Sequence, residues 1–239
     1  MQVTKKEEQR ELLEMVKMLD DICAKENISY MLHRGTLLGA VREHGFIEWD
    51  DDMDLIMLRK DFDAFEKCCP KYFSGLGLYL ENKGKFPTVC SMEKPELIME
   101  IVTLDAIPSS AIKHKFQVFL LMLLPLLLID YRLYTYSWTR KALVFLLSLP
   151  GRLFSEKAKL EAFRRISTWG NDDGTDELFI SNGAARFINL RIQKRLVEET
   201  VRMPFEDTEL PVPVGWDEYL RLFYGDDYMT PKRENYYAS

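Results

Sequence analysis

The chain has 239 residues and 28.1 kDa, with 32 Lys and Arg against 38 Asp and Glu, a formal charge of −6. Its 47% apolar, 12% aromatic and 29% charged residues can bury a sizeable core in one large or two small domains. This excludes a disordered, collagen-like or disulfide-scaffold chain, and the acidic balance argues against a nucleic-acid binder, which would show a basic stripe.

Thr4 to Glu7 reads as a capping box, and Leu12, Leu13, Val16, Leu19, Ile22 and Cys23 follow at helical spacing, predicting an amphipathic helix from Thr4 to Lys25. Met1 to Arg10 is polar and has no apolar run of the secretory kind, so a cytoplasmic start is expected. Cys23, Cys68, Cys69 and Cys90 show no C-x-x-C pair and no matching His cluster, which fits a reduced setting without a zinc site. Ile28, Tyr30 and Leu32 alternate as a short strand would, and Gly35 opens a helix over Thr36 to Glu43 that Gly45 ends. Met53 to Leu58 reads as a buried strand, followed by a helix from Lys60 to Cys69 that Pro70 stops. Leu76 to Leu80, Thr88 to Met92 and Ile98 to Leu104 are predicted strands. Interleaved strands and helices predict an α/β (mixed α+β) core over the first 110 residues.

The middle of the chain is different. Phe116 to Ile129 carries no charge, and Ala142 to Leu149 is nearly as apolar; between them Asp130, Arg132, Arg140 and Lys141 stand among Tyr131, Tyr134, Tyr136 and Trp138. The first run falls short of the roughly 20 residues of a spanning helix and holds Pro125. Three readings stay open for 116–149: a pair of core helices, a helical hairpin resting on a membrane surface, or a true span. Beyond Pro150-Gly151 the chain turns polar, with a helix over Ser155 to Trp169, a turn at Asn171 to Gly174, an extended edge segment over Phe205 to Val214, and a short helix from Asp217 to Tyr224.

The stretch that carries chemistry is Gly35 to Leu55. Four of the five residues from Asp50 to Asp54 are aspartates, where the chain average gives about one. They feed directly into the apolar Leu55 to Leu58, so this is not a solvated charge run. With side chains alternating along the strand, Asp50, Asp52, Asp54 and Ile56 share one face and Asp51, Met53, Leu55 and Met57 the other, so Met53 and Leu55 anchor the core and hold Asp52 and Asp54 side by side. Asp52 and Asp54, two residues apart on a strand, have the hard-oxygen chemistry to bind Mg2+ or Mn2+; Asp50 and Asp51 are lesser candidates. An EF-hand beginning at Asp50 is excluded, because position 6 is Leu55 and position 12 is Asp61. Gly35 and Thr36 at a helix start offer a phosphate site, with Arg34 and Arg42 as guanidinium partners. Glu100 interrupts an apolar strand, where a lone acid would be costly, and could complete a three-carboxylate site; Asp105 is the second choice.

These residues resemble the LicD family, which includes fukutin and the fukutin-related protein. The family's hallmark G-T-L-L-G-A-V-R, a short spacer and G-F-I-P-W-D-D-D-x-D stand here as Gly35 to Arg42 and Gly45 to Asp54, with Glu48 in place of Pro. Glu100 to Asp105 is similar to an Asp-x-x-Pro-Leu-Asp pattern, and Met203 to Glu206, Tyr219-Leu220 and Tyr224 to Met229 are similar to its closing pattern. The resemblance implies a nucleotidyltransferase-like core sheet with flanking helices and an inserted apolar helical segment. It implies a catalytic core over 1–110, the insertion over 111–152 and a portion completing the same domain over 153–239. It further implies a divalent-metal transferase that moves a phospho-alcohol, of the phosphocholine kind, from a CDP-activated donor to a hydroxyl of a cell-surface glycan, teichoic acid or lipopolysaccharide precursor. Asp52 and Asp54 would hold the metal, with Glu100 as the third ligand or the base, Gly35 and Thr36 would hold the donor phosphates, and Arg42 would offset developing charge. A nucleotidyltransferase or a ribitol- or glycerol-phosphate transferase is the alternative of the same class, and a metal-stabilised scaffold of a glycan assembly complex that of another. Acceptors of this kind are often lipid-linked, so a cytoplasmic protein peripheral to the inner face of the plasma membrane is expected.

Overall fold

The computed structural model describes residues 5–82, 87–128, 154–183 and 187–231. The chain has an α/β fold and divides into two units. The first contains the described residues of Met1–Leu80, Thr88–Ile101 and Ile192–Ser239, the second those of Glu81–Pro87 and Val102–Arg191.

In the first unit, helix α1 (Lys5–Glu26) buries Leu12, Leu13, Val16, Leu19, Ile22 and Cys23, the stripe its periodicity predicts. Strand β1 (Met31–Leu32) pairs antiparallel with β2 (Met53–Leu58), Met31 opposite Ile56. Helix α2 (Arg34–Arg42) and helix α3 (Arg59–Phe73) flank β2 in sequence. The sheet continues through β3 (Leu78–Glu81), β4 (Thr88–Ser91) and the first half of β5 (Ile98–Ala106), in the order β1-β2-β5-β4-β3. β2 is paired along both edges by β1 and β5 and packs against α2 and α3, so Met53 to Met57 are all buried rather than alternating.

Three expectations need correction here. The α3 helix runs through Pro70 to Phe73. Proline removes the N–H that would have bonded Glu66 O, and the Cys69 thiol lies 3.6 Å from that carbonyl instead. Phe73, buried and edge-on to Phe65, holds the last turn to the core. Second, β2 begins at Met53, so Asp50 to Asp52 form an irregular lead-in and the shared-face argument holds for Asp54 alone. Third, the segment expected to be a single extended edge is one arm of a hairpin, β8 (Thr200–Phe205) with β9 (Thr208–Pro213), turned at Glu206, whose φ is 53°. Pro204, Pro211 and Pro213 occupy every second rung, opposite Glu209, Arg202 and Thr200. Counted from the Phe205–Thr208 closing pair, these are the non-hydrogen-bonded rungs, where a missing N–H costs the ladder nothing. The two-residue β7 (Ile192–Gln193), also not anticipated, precedes a 3-10 turn over Lys194–Leu196, and helix α6 (Trp216–Tyr224) ends at Gly225.

In the second unit, the latter half of β5 pairs antiparallel with β6 (Glu177–Ile180), a strand the sequence reading missed, Asp105 opposite Phe179. Helices α4 (Ala111–Leu128) and α5 (Glu156–Ser167) pack together, and Ile107, Val118, Leu121, Phe179 and Ile188 form the core. Ser155 caps α5, its hydroxyl accepting from Ala158 N. A Cβ on Gly170 would stand 2.3 Å from Ala106 O, so only glycine lets the Asn171 turn close on β5. The second apolar run, 142–149, lies outside the described residues, and among the described residues no helix is long and apolar enough to cross a membrane.

Candidate functional site

The start of α2 and the start of β2 are tied together by two bonds, and a third closes the helix's first turn. His33 N donates to Asp54 O at 2.9 Å, Asp54 N donates to the Thr36 hydroxyl at 2.9 Å, and Leu37 N donates to His33 O at 3.1 Å as the helix's first turn. Thr36 is buried, so its hydroxyl serves as the acceptor that locks the two elements. The amides of Gly35 and Thr36 precede the first intrahelical bond and stand at the positive end of the helix dipole. Asp50 faces this end: a Cβ on Gly35 would lie 2.9 Å from Asp50 Oδ2, so glycine makes room for that carboxylate. The Ile47–Asp50 stretch is held in turn by Gln9 of α1, whose amide donates to Ile47 O at 3.0 Å and to Asp50 O at 2.9 Å.

Four carboxylates feel one another's charge. Asp54 is 8% exposed; burial, then the charges of Asp52, Glu100 and Asp50, push its carboxyl up to about 7 against the pull of Arg34. Asp50 is pushed up to about 6 by burial and by Asp52 and Asp51. Asp52 is raised by burial and Asp51, and Glu100 by burial and Asp52, while Arg34 acts the other way on both. Asp51 turns outward and pairs with Lys5 at 2.9 Å. Arg34 is the cation common to Asp50, Asp52, Asp54 and Glu100, with Nη1 4.0 Å from Asp54 Oδ2. It stands at φ 42°, a left-handed conformation that a non-glycine residue rarely adopts.

Two sequence candidates are elsewhere. Arg42 is at the other end of α2, about 12 Å along a nine-residue helix, and its Nε donates to Glu43 at 2.7 Å. The arginine that reaches the carboxylates is therefore Arg34. Asp105 is in the second unit, fully buried, and accepts from Asn171 Nδ2 at 2.9 Å. His33, which sequence reasoning passed over, is the N-cap residue of α2 but its side chain makes no cap hydrogen bond: burial holds the imidazole well below its ordinary range, and Tyr219 of α6 is hydrogen-bonded to Nδ1 at 2.8 Å. The two residues are 186 positions apart, and no local pattern announces such a pair.

The donor set is chemically suited to a hard divalent cation: acidic oxygens crowded at one helix end and destabilised by one another's charge. Among the described residues no three His, Cys, Asp or Glu converge into a ready-made metal cage. Trp49, next to Asp50, and Phe46 line a cavity of about 810 Å3 in the same unit, whose charged lining is mixed, with three Lys and Arg against four Asp and Glu.

Compared with known proteins, residues 27–99 match a family model described as LicD/FKTN/FKRP, nucleotidyltransferase domain. The chain is similar to the lipopolysaccharide cholinephosphotransferase LicD of Haemophilus influenzae, 41% identical over 63 residues, 26% of this chain and 24% of that protein. It is also similar to uncharacterized proteins of Rickettsia typhi, 35% identical over 79 residues (33% of this chain, 25% of that protein), and of Rickettsia prowazekii, 36% over 61 (26% and 23%). The chain thus spans about a quarter of the length of the curated relatives it matches.

Proposed function

We propose, from the match of residues 27–99 to the LicD/FKTN/FKRP family model, that the chain is a transferase of substituted phosphate groups that moves a phospho-alcohol, of the phosphocholine kind, from a CDP-activated donor to a glycan or lipid-linked glycan hydroxyl. The observation that carries the reading is the grouping of Asp50, Asp52, Asp54 and Glu100 with Arg34 at the start of α2. The Haemophilus relative's name, a lipopolysaccharide cholinephosphotransferase, supports the phosphocholine class and an envelope glycan as acceptor.

In this reading the acceptor oxygen attacks the phosphorus that bears the alcohol, the bond from that phosphorus to CMP breaks, and the hydroxyl proton passes to a carboxylate. Glu100, half-buried with its carboxyl raised above the ordinary range, is the base that takes the proton. The amides of Gly35 and Thr36 receive donor phosphate oxygens at the helix start, and Arg34 offsets the charge gathering on the phosphoryl group. Asp52 and Asp54 would hold Mg2+ or Mn2+, which when bound supplies Lewis-acid stabilisation of the same charge and leaves Glu100 as the base.

The test is incubation with a panel of CDP-alcohols, Mg2+ or Mn2+ and acceptor glycan, reading CMP release. CMP from CDP-choline that disappears in Asp54→Asn supports the proposal; CMP only from CDP-ribitol or CDP-glycerol redirects it to another alcohol. Absence of CMP from every donor, with biological function intact in Asp54→Asn, overturns it in favour of a non-catalytic scaffold.

A further inference from the structure

Helix α4 is apolar on both sides, and only one side is used by the second unit's core. Gln117, Val118 and Leu121 are buried, while Ile112, Phe116, Phe119 and Met122 form a stripe on the opposite side that is 47% to 82% exposed. Phe116 stacks on Phe119, with ring centroids 6.4 Å apart, and on Trp169, at 6.2 Å. A helix apolar all round belongs inside a large core or against lipid. The charge on the two packed helices discriminates between covers: α4 and α5 together hold six Lys and Arg against two Glu, in a chain whose net charge is −6, and one of the six, Lys113, also pairs with Asp173 at 3.8 Å. Helix α4 itself carries no acid, and Lys113 and Lys115 stand in its first turns. Two copies meeting through this face would bring basic surfaces together, whereas an anionic bilayer would attract them.

We propose that the α4 stripe, with Trp169 beside it, docks on an anionic phospholipid surface, the helix lying in the interface rather than crossing it. The aromatic and aliphatic side chains enter the acyl boundary, the indole sits at headgroup level, and the surrounding Lys and Arg meet lipid phosphates. This docking does not depend on the transferase reading. It would hold the protein where a lipid-linked acceptor lies.

The experiment is sedimentation of the full chain with sucrose-loaded vesicles, in EDTA and without nucleotide, so that failure of catalysis cannot affect the result. Vesicles of phosphatidylcholine with a quarter phosphatidylglycerol should pellet the protein, phosphatidylcholine alone should pellet little, and 0.5 M NaCl should weaken binding. The double variant Phe116→Ser/Phe119→Ser should lower partitioning about thirtyfold, about 2 kcal/mol at 1.4 kcal/mol per tenfold, with an unchanged circular dichroism spectrum. Equal pelleting of the double variant overturns the proposal. So does no pelleting of the parent chain; a concentration-dependent dimer that the double variant abolishes would then make the cover a second copy.

Discussion

Replacing Asp54 by Asn should stabilise the metal-free protein, and do so increasingly as pH rises. Asp54 is raised in the fold, to about 7 from an ordinary 3.8, so the folded state holds its proton over a window where the unfolded chain has lost it. Stability is therefore intact below about pH 4, falls as pH rises through the window, and reaches its full loss above about pH 7. At 1.36 kcal/mol per pH unit, the raised pKa costs the fold about 4 kcal/mol at pH 8, where Asp54 is ionised, and about 2 kcal/mol at pH 5, where the folded carboxyl keeps a proton that the unfolded chain has shed. An Asn of the same shape is free of that cost, and any fixed packing penalty it brings is the same at both pH values. The advantage of Asp54→Asn over the parent chain should thus be larger at pH 8 than at pH 5 by about 2–3 kcal/mol, or about 4–12 °C in Tm for a chain of this size. Thermal melts in EDTA at the two pH values measure it. Added Mg2+ should raise the parent's Tm at pH 8 and leave the variant's unmoved, while CMP release falls by about a hundredfold or more. An Asn variant with the same Tm offset at both pH values would refute the view that Asp54 is a strained, charge-burdened carboxyl.

Other substitutions separate the site's parts. Gly35→Ala displaces the Asp50 carboxylate, a mobile side-chain end, and should change stability by under about 1 kcal/mol while cutting turnover. Gly39→Ala places a Cβ 2.4 Å from the backbone oxygen of Gly45 and should cost about 3 kcal/mol by urea unfolding. Thr36→Val leaves the buried Asp54 N–H without its acceptor and should cost about 1–3 kcal/mol; Thr36→Ser should restore most of it. Arg34→Gln removes the cation that holds Asp50, Asp52, Asp54 and Glu100 down, so the acidic limb of the pH–activity profile should move to higher pH, with turnover lowered about tenfold or more. An unmoved limb would remove Arg34 from the site.

The parts of this protein that are legible in one dimension are those whose cause is local. The buried stripe of α1, the strand at Met53 and the helix start at Gly35 follow from periodicity and turn chemistry, and the crowding of Asp50 to Asp54 is visible as soon as the acids are counted. The resemblance over Gly35 to Asp54 likewise lies in contiguous residues, within the 27–99 family match. What only the tertiary structure decided depends on partners far away in sequence or on backbone geometry that composition does not encode. Arg34, rather than Arg42, reaches the carboxylates because it stands at the helix's first residue in a left-handed conformation, while Arg42 is carried to the other end. Pro70 sits inside α3 because burial of Phe73 and its contact with Phe65 outweigh one missing hydrogen bond. The β8–β9 hairpin tolerates its prolines because they fall on alternate rungs, a matter of register. The pairing of His33 with Tyr219 needs α6 to come back to the start of α2 across 186 positions. Local sequence carries short-range preferences with periods of two or 3.6 residues; long-range pairings have no period, and packing selects among them.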